Sequence, residues 1–481
     1  MPAPKPQQLA KFALGCLLLV VVAAVFFAGD GCRPSREKMT DDEVVRQVLE
    51  ATQQQGNHAP LYPVDSSTNV SLAWQFHFDL STTMNGFLKP ADEKFRPLVQ
   101  KLVSTMDTNA TFVGEGGPSS GASLDLTQLT SPATYTQSGL DYRELFARLV
   151  SETNANHALI TDGIPLRGRM PVPPLEIIAG LRQFLNRGGD ITLLALRLPY
   201  KGQLTSVKRL LRAPKNADPE DLVVTVNSTG RPLLLWLFVQ PGQTIGTASH
   251  PLGRLGERLE LSRTNTADWT SPFGEWTCLV LPSRAQPPMS LQNAGEDSPA
   301  CRAKLTGMTP VKKISILNHL EKQRLLTFSV SFPLPKDSQI PRDSLASSLA
   351  LTLSAWTIPE WRDQKIVPVV TQMSPPKWEL GPESSDADLG YARLVSARVT
   401  VNPERPVPPP GESEKEQFVW LASVAPQRGG ALPPHLAAFS TEDDSLPTNA
   451  GAIYQLGELL KLVRDELQIH GQAVFFTRWT K

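Results

Sequence analysis

The stretch that decides the fold is VSLAWQFHFDLSTTMNGF, residues 70–87. Up to Asp79, large apolar side chains alternate with small or polar ones, which is the period-two pattern of a half-buried strand. Hydroxyl side chains follow at Ser81 and Thr83. Apolar residues then recur at helical spacing between 91 and 106, so the region predicts a strand, a polar turn and a helix in succession.

Alternating strand and helix patterns continue from this region to residue 239. Further strands are predicted at 110–114, 157–162, 191–198 and 233–239, and helices near 140–150 and from Pro174 to Gly188. Strands that alternate with helices are typical of a parallel sheet that helices cover. We therefore expect an α/β fold with a doubly wound, mainly parallel, Rossmann-like sheet.

Asp79, Ser81 and Thr83 place hard oxygen donors at the carboxyl end of a predicted strand, where open α/β sheets bind ligands. Mg²⁺ prefers carboxylate, hydroxyl and water oxygens. A second predicted strand ends at Asp162, beyond a loop that contains Thr. The alternative is that Asp79 and Ser81 only cap the next helix, but capping does not require Asp162 on another strand.

In this order, Asp79-x-Ser81-x-Thr83, the Thr-bearing loop and Leu159-Ile160-Thr161-Asp162-Gly163 resemble a von Willebrand factor A (VWA) domain with its metal-ion-dependent adhesion site. The resemblance covers residues 70–241. Members of that family usually have Ser where this chain has Thr83, which keeps the hydroxyl. Met84-Asn85-Gly86-Phe87, Tyr200-Lys201-Gly202 and Arg231-Pro232 are similar to a bacterial extracytoplasmic group of such domains, although Arg231-Pro232 also suits a simple strand entry.

The resemblance implies one bound Mg²⁺ or Mn²⁺ ion and a protein partner that offers an acidic side chain. The loop Thr is either Thr134 or Thr136, and we favour Thr136. The implied metal ligands are Asp79, Ser81, Thr83, Thr136 and Asp162. The alternatives are a metal-dependent phosphoester hydrolase that uses the same Asp cluster, and a structural spacer whose site has decayed.

Composition excludes some partners. With 47 basic and 47 acidic residues the net charge is zero, so no electrostatic footprint for nucleic acid is present. No phosphate-binding loop or zinc-ligand spacing occurs in the sequence, and we do not expect a small-molecule substrate.

The N-terminal region predicts attachment to a membrane. Residues 12–29 are almost entirely apolar and follow the basic residues of 1–11, which favours a transmembrane anchor or signal segment with a cytoplasmic N-terminus. A lipid-modified Cys32 is the alternative. We expect a polar stalk at 30–65 with a short helix near 41–53, and a soluble part on the periplasmic side of a bacterial inner membrane.

The remaining boundaries are a VWA-like domain at 66–262, a β-rich, sandwich-like region at 263–447 and a C-terminal helix and strand at 448–481. Short apolar runs separated by turn residues predict the sandwich, and the helix and strand are expected to complete one of the sheets. Cys278 and Cys301 are the only cysteines in the soluble part, so they form either a disulfide or two buried thiols.

Overall fold

The structure is a computed structural model of the chain. It describes residues 37–54, 72–106, 110–116, 121–163, 166–167, 170–187, 189–214, 217–241, 243, 252–263, 269–281, 290–293, 302–304, 316–319, 326–335, 348–380, 391–403, 417–432, 434–449, 451–467 and 471–479. The apolar segment 12–29, Cys32 and Cys301 lie outside these residues. No helix within the described ranges is long and apolar enough to cross a membrane.

Most of the described elements up to residue 281 belong to one α/β unit. Its helices are α2 (Phe95–Met106), α3 (Leu126–Leu129), α4 (Tyr142–Ser151), α5 (Pro174–Asn186), α6 (Val207–Arg212) and α7 (Gly253–Arg258), and they follow α1 (Asp41–Gln54), which packs elsewhere. Its strands are β1 (Ala73–Asp79), β2 (Thr111–Glu115), β3 (Ala122–Leu124), β4 (Ala155–Thr161), β5 (Leu166–Arg167), β6 (Met170–Pro171), β7 (Asp190–Thr205), β8 (Val223–Val239), β9 (Ser262–Arg263), β10 (Trp269–Ser271) and β11 (Gly274–Leu281).

Nine of these strands form one sheet in the order β3-β2-β1-β4-β8-β7-β11-β10-β9. Its two faces carry separate cores. Trp74, Phe76 and Phe78 of β1 pack with α2 and α7 on one face, and β4, β7 and β8 pack with α4 and α5 on the other. The mixed α/β class is thus as the sequence predicts, but β7 and β8 are about twice as long as the predicted strands 191–198 and 233–239.

The predicted mainly parallel sheet is wrong. Within the described strands of this nine-stranded sheet, only β1–β2 and β1–β4 pair in parallel, and the other six neighbouring pairs are antiparallel. The cause is the hairpin of β7 and β8, whose return strand lies between β4 and β7. The two strands pair antiparallel along almost their whole length, from Asp190 opposite Val239 to Thr205 opposite Val223, and α6 lies in the connection between them.

The second unit contains two further sheets. Their strands are β12 (Ser290–Asn293), β13 (Arg302–Lys304), β14 (Ile316–His319), β15 (Leu326–Pro335), β16 (Leu349–Thr357), β17 (Val367–Val369), β18 (Thr371–Met373), β19 (Lys377–Leu380), β20 (Tyr391–Pro403), β21 (Gln417–Pro426) and, at the end of the chain, β24 (Gly471–Trp479). The orders are β13-β12-β15-β20-β18, with β19 also on β20, and β14-β24-β21-β16-β17. Side chains from both sheets, including Phe328, Val399 and Trp420, share one core, as a sandwich requires.

Residues between β21 and β24 return to the α/β unit. They form α8 (Pro434–Ala437), β22 (Ser440–Thr441), β23 (Ile453–Tyr454) and α9 (Leu456–Leu467). Leu456, Leu460 and Val463 of α9 pack on the α4–α5 face of the large sheet, whereas β24 pairs with β21 and β14. The C-terminal helix and strand therefore complete different units, and β11 extends the large sheet beyond residue 262. Cys278 is half-buried in β11, and with Cys301 outside the described residues a disulfide stays a prediction.

Candidate functional site

Asp79 and Asp162 lie at the carboxyl ends of adjacent parallel strands. Asp79 is the last residue of β1 and Asp162 directly follows β4, and both are at most 1% exposed. From β1 the chain reaches β2 through α2 on one face and then β4, on the other side of β1, through α4 on the opposite face. Strand order reverses at this point, which is where open α/β sheets bind ligands.

Ser81 and Thr83 belong to the same site as Asp79 and Asp162. We call these four residues the carboxylate cluster. The hydroxyl oxygens of Ser81 and Thr83 are 2.9 Å apart, and both residues are buried. In a near-octahedral Mg²⁺ shell with bonds of 2.0–2.1 Å, neighbouring ligand oxygens are about 2.9 Å apart. Ser81 precedes the 3₁₀ helix Thr82–Leu88 without capping it through its side chain, which contradicts the capping alternative for Ser81.

Asp79 is held by two hydrogen bonds. Its Oδ1 accepts from the Ser81 amide at 2.9 Å, and its Oδ2 accepts from the Thr161 hydroxyl at 2.7 Å. The Tyr142 hydroxyl of α4 donates in turn to Thr161 Oγ1 at 3.2 Å. Sequence reasoning missed Thr161 and Tyr142 as site residues. The position of Thr161 next to Asp162 was a usable signal, but nothing local points to Tyr142.

Burial and charge repulsion act together on Asp79. Burial, and then the charge of Asp162, raise its pKa from 3.8 to about 7. The pKa of Tyr135 is also raised, first by burial and then by the charge of Asp79. Two buried carboxyl groups that repel each other favour binding of a cation or a proton.

The loop before α4 is fastened to the residues after β1. Gln137 donates its amide to Leu80 O and accepts from the Thr82 amide, both at 2.9 Å. The side chain of Asn85 donates to Tyr135 O at 2.9 Å. This arrangement brings the backbone of the predicted fifth ligand to the carboxylate cluster.

The two Thr candidates in this loop differ. Thr134 donates its hydroxyl to Gln128 O at 2.6 Å and thereby closes the turn. Thr136 is exposed, and its Oγ1 accepts from the Gln137 side chain at 3.4 Å. The structure thus buries four of the five predicted ligands together and leaves Thr136 exposed on the adjoining loop.

Three of the sequence features noted above lie close together beside Thr83. They are Met84–Phe87, Tyr200–Gly202 and Arg231. The Tyr200 hydroxyl donates to Thr83 O at 2.9 Å, and the guanidinium of Arg231 lies 5.4 Å from the Tyr200 ring centroid. A Cβ on Gly86 would lie 2.1 Å from the Tyr200 ring, so only glycine fits there. Packing against Tyr200 therefore positions the backbone that carries Thr83.

A second buried polar group, which we call the histidine cluster, lies beside Asp79 on the same face of the sheet. His77 Nδ1 is 2.7 Å from Glu115 Oε1, and His77 Nε2 is 3.1 Å from His157 Nδ1. Arg148 of α4 donates to the same Glu115 oxygen. Burial, and then the nearby His77, lower the pKa of His157 to about 3. No pattern in the sequence points to these partners of His77.

The donor set fits a hard cation. Two carboxylates and two hydroxyls offer oxygen only, which suits Mg²⁺ and Mn²⁺ better than softer metals. Across the described ranges, no group of three or more His, Cys, Asp or Glu that could hold a metal ion is present. Hydroxyl and water oxygens must therefore supply much of the shell at this site.

Comparisons with protein-family models, with curated proteins and with solved structures found no match for this chain.

Proposed function

We propose that the α/β unit is a VWA-like domain that binds a protein partner through a Mg²⁺-dependent adhesion site. The observation that carries this proposal is the convergence of Asp79, Ser81, Thr83 and Asp162 at the point where strand order reverses. In the finer assignment, β2-β1-β4 with α2 and α4 form the doubly wound part of the domain, and β7, β8 and β11 are an antiparallel extension of it.

Each residue has a separate role in this proposal. Ser81 and Thr83 hold the ion through their hydroxyls, while Asp79 and Asp162 supply the negative charge. Thr161 and Tyr142 orient Asp79 through the two hydrogen bonds in series. Thr136 lies at the exposed rim, where a partner arrives. The bound ion supplies a positive charge that attracts a carboxylate of the partner protein.

Binding is favoured over hydrolysis because the nearest histidine is not available as a base. Both ring nitrogens of His77 are engaged, one by Glu115 and one by His157. A general base must reach the proton that it removes. The proposed location is the periplasmic side of a bacterial inner membrane, with residues 12–29 or a lipidated Cys32 as the attachment.

The test is calorimetric titration of Mg²⁺ into the chain, followed by capture of partners from native membranes with and without a chelator. We expect Mg²⁺ binding and chelator-sensitive capture, and both should be lost in Asp79→Ala. Asp92→Ala, at an exposed carboxylate between the 3₁₀ helix and α2, is the matched control and should retain both.

Turnover of a phosphoester substrate that disappears in Asp79→Ala would favour the hydrolase instead. Absence of Mg²⁺ binding in a folded chain would favour the structural spacer.

A further inference from the structure

The helix that precedes the α/β unit in sequence packs on the sandwich. Val44, Val45 and Val48 of α1 are buried against Trp356, Val419 and Phe476 of the five-stranded sheet, among others. Side chains alternate along β21, so that Phe418 and Trp420 face the sandwich core while Val419 and Leu421 face α1. The predicted stalk helix is therefore an outer layer of the last unit in the sequence.

The residues just before α1 are fastened to the loop between β16 and β17. The Met39 amide donates to Glu360 O at 3.2 Å, and the Arg362 amide donates to Glu37 O at 2.9 Å. The Arg362 side chain pairs with Glu37 at 2.6 Å and with Glu43 at 2.8 Å. Glu37 thus has a defined place on the sandwich.

The number of residues between Glu37 and the predicted membrane attachment limits the distance between them. Ala28, at the end of the apolar run, and Glu37 are nine positions apart, which is at most about 32 Å when the chain is fully extended. If Cys32 carries a lipid instead, the attachment and Glu37 are five positions apart, which is at most about 18 Å. Both attachments bring the same end of the sandwich to the lipid.

The surface beside Glu37 has the side chains of a membrane interface. The backbone of Trp361, whose side chain is half-buried, forms an isolated β-bridge with Lys38. Further along the chain, in β17 and directly after it, Val367 and Val370 are 52% and 66% exposed. Tryptophan and snorkelling basic side chains are favoured where an apolar phase meets water.

The described residues 37–38 and 360–365 carry three basic side chains and three acidic ones. The basic residues are Lys38, Arg362 and Lys365, and the acidic ones are Glu37, Glu360 and Asp363. Arg33 and Arg36 precede them in the sequence and add two positive charges.

From these observations we infer that Trp361, Val367 and Val370 form a surface that rests on the lipid bilayer, so that the sandwich, and not the α/β unit, is the membrane-proximal part. The inference rests on the membrane attachment in the proposed function and is independent of the metal site. Because the charges of the described residues on this surface balance, we expect the tether and the apolar side chains to be enough for contact with a neutral bilayer.

The test uses the full chain reconstituted into vesicles of phosphatidylcholine or of brominated phosphatidylcholine, whose bromine quenches nearby tryptophan. The chain has nine Trp, so quenching of one of them should remove roughly one ninth of the emission. This loss should disappear in Trp361→Phe and persist in Trp74→Phe, which changes the α/β unit. Val367→Asp should weaken it without changing Trp361 itself.

Equal quenching in the Trp361→Phe chain, or none in the parent chain, would overturn the inference. A chain that separates from the vesicles on flotation would overturn the inference and the membrane attachment together. Mg²⁺ titration of the same sample then shows whether the metal site binds the ion when the chain does not contact the membrane.

Discussion

The carboxylate cluster and the histidine cluster lie two residues apart on β1, both buried, and they differ in how their charge is balanced. In the histidine cluster the carboxylate of Glu115 receives hydrogen bonds from Arg148 and His77. In the carboxylate cluster two acidic groups face each other, and the pKa of Asp79 rises to about 7. Buried polarity alone therefore does not identify a ligand site. Mismatched charge at the end of a strand is the more informative sign.

The largest expected effect comes from replacing Asp79 by its neutral isostere. Asp79→Asn should reduce Mg²⁺ affinity on the order of 100-fold or more, because it removes one of two anions. The same change removes a buried charge that repels Asp162, so above pH 7 the metal-free variant should unfold at a higher temperature than the parent. Calorimetry and thermal unfolding measure the two effects. A variant that loses stability at every pH would contradict the repulsion.

Breaking the histidine cluster should have the opposite pattern. Arg148→Met leaves the buried Glu115 with one donor fewer and should cost about 1–3 kcal/mol of unfolding free energy. We expect the low end of this energy range, because the Arg148 side chain is 32% exposed and solvent weakens its interaction with Glu115. Mg²⁺ affinity should stay within about twofold of the parent. Arg143→Met, on the exposed side of the same helix, is the matched control. A large loss of Mg²⁺ affinity in Arg148→Met would mean that the histidine cluster and the carboxylate cluster are energetically coupled.

The pH dependence should separate the clusters further. The pKa of Asp79 is raised from 3.8 to about 7, so its contribution to stability is greatest below pH 4 and is lost as the pH rises to about 7. The pKa of His157 is lowered from 6.5 to about 3, so its contribution is present above pH 6.5 and is lost as the pH falls towards 3. In the proposed site, Mg²⁺ would compete with the Asp79 proton.

Thermal unfolding with and without Mg²⁺ between pH 5.5 and pH 8 measures this competition. The Mg²⁺-induced rise in melting temperature should be larger at pH 8, by roughly 2–4 °C for each kcal/mol. The same rise at both ends of the range would show that no proton leaves Asp79 when the ion binds.

The smallest effect should distinguish the two Thr residues of the loop. Thr136→Ala should weaken Mg²⁺-dependent partner binding by roughly tenfold. This is the lower end of the loss expected when a residue that supports a metal site is removed. Thr134→Ala loses the hydrogen bond to Gln128 O and should instead cost about 1 kcal/mol of stability. Titration and thermal unfolding of both variants check the assignment. The reverse outcome would make Thr134 the ligand.

Much of the site was predictable because the signals are local. The period-two pattern places Asp79 at the end of a strand, and the apolar run 158–160 does the same for Asp162. The partners of these residues were not predictable. Tyr142 reaches Thr161 across 19 positions, and His77 meets Glu115 and His157 at separations of 38 and 80 residues. Such contacts depend on how strands are ordered, and periodicity carries no information about order.

By itself, the sequence determined where β1, β2, β4, α2, α4 and α5 lie, which of their side chains point to the same face, and which oxygen donors end β1 and β4. Those properties follow from backbone periods of 2 and 3.6 residues, which neighbouring residues set. Only the tertiary structure decided that β8 lies between β4 and β7, that α1 covers the sandwich, and that α9 and β24 join different units. An apolar face must be buried. The spacing of its apolar residues does not determine which other surface covers it, because the hydrophobic effect is not directional.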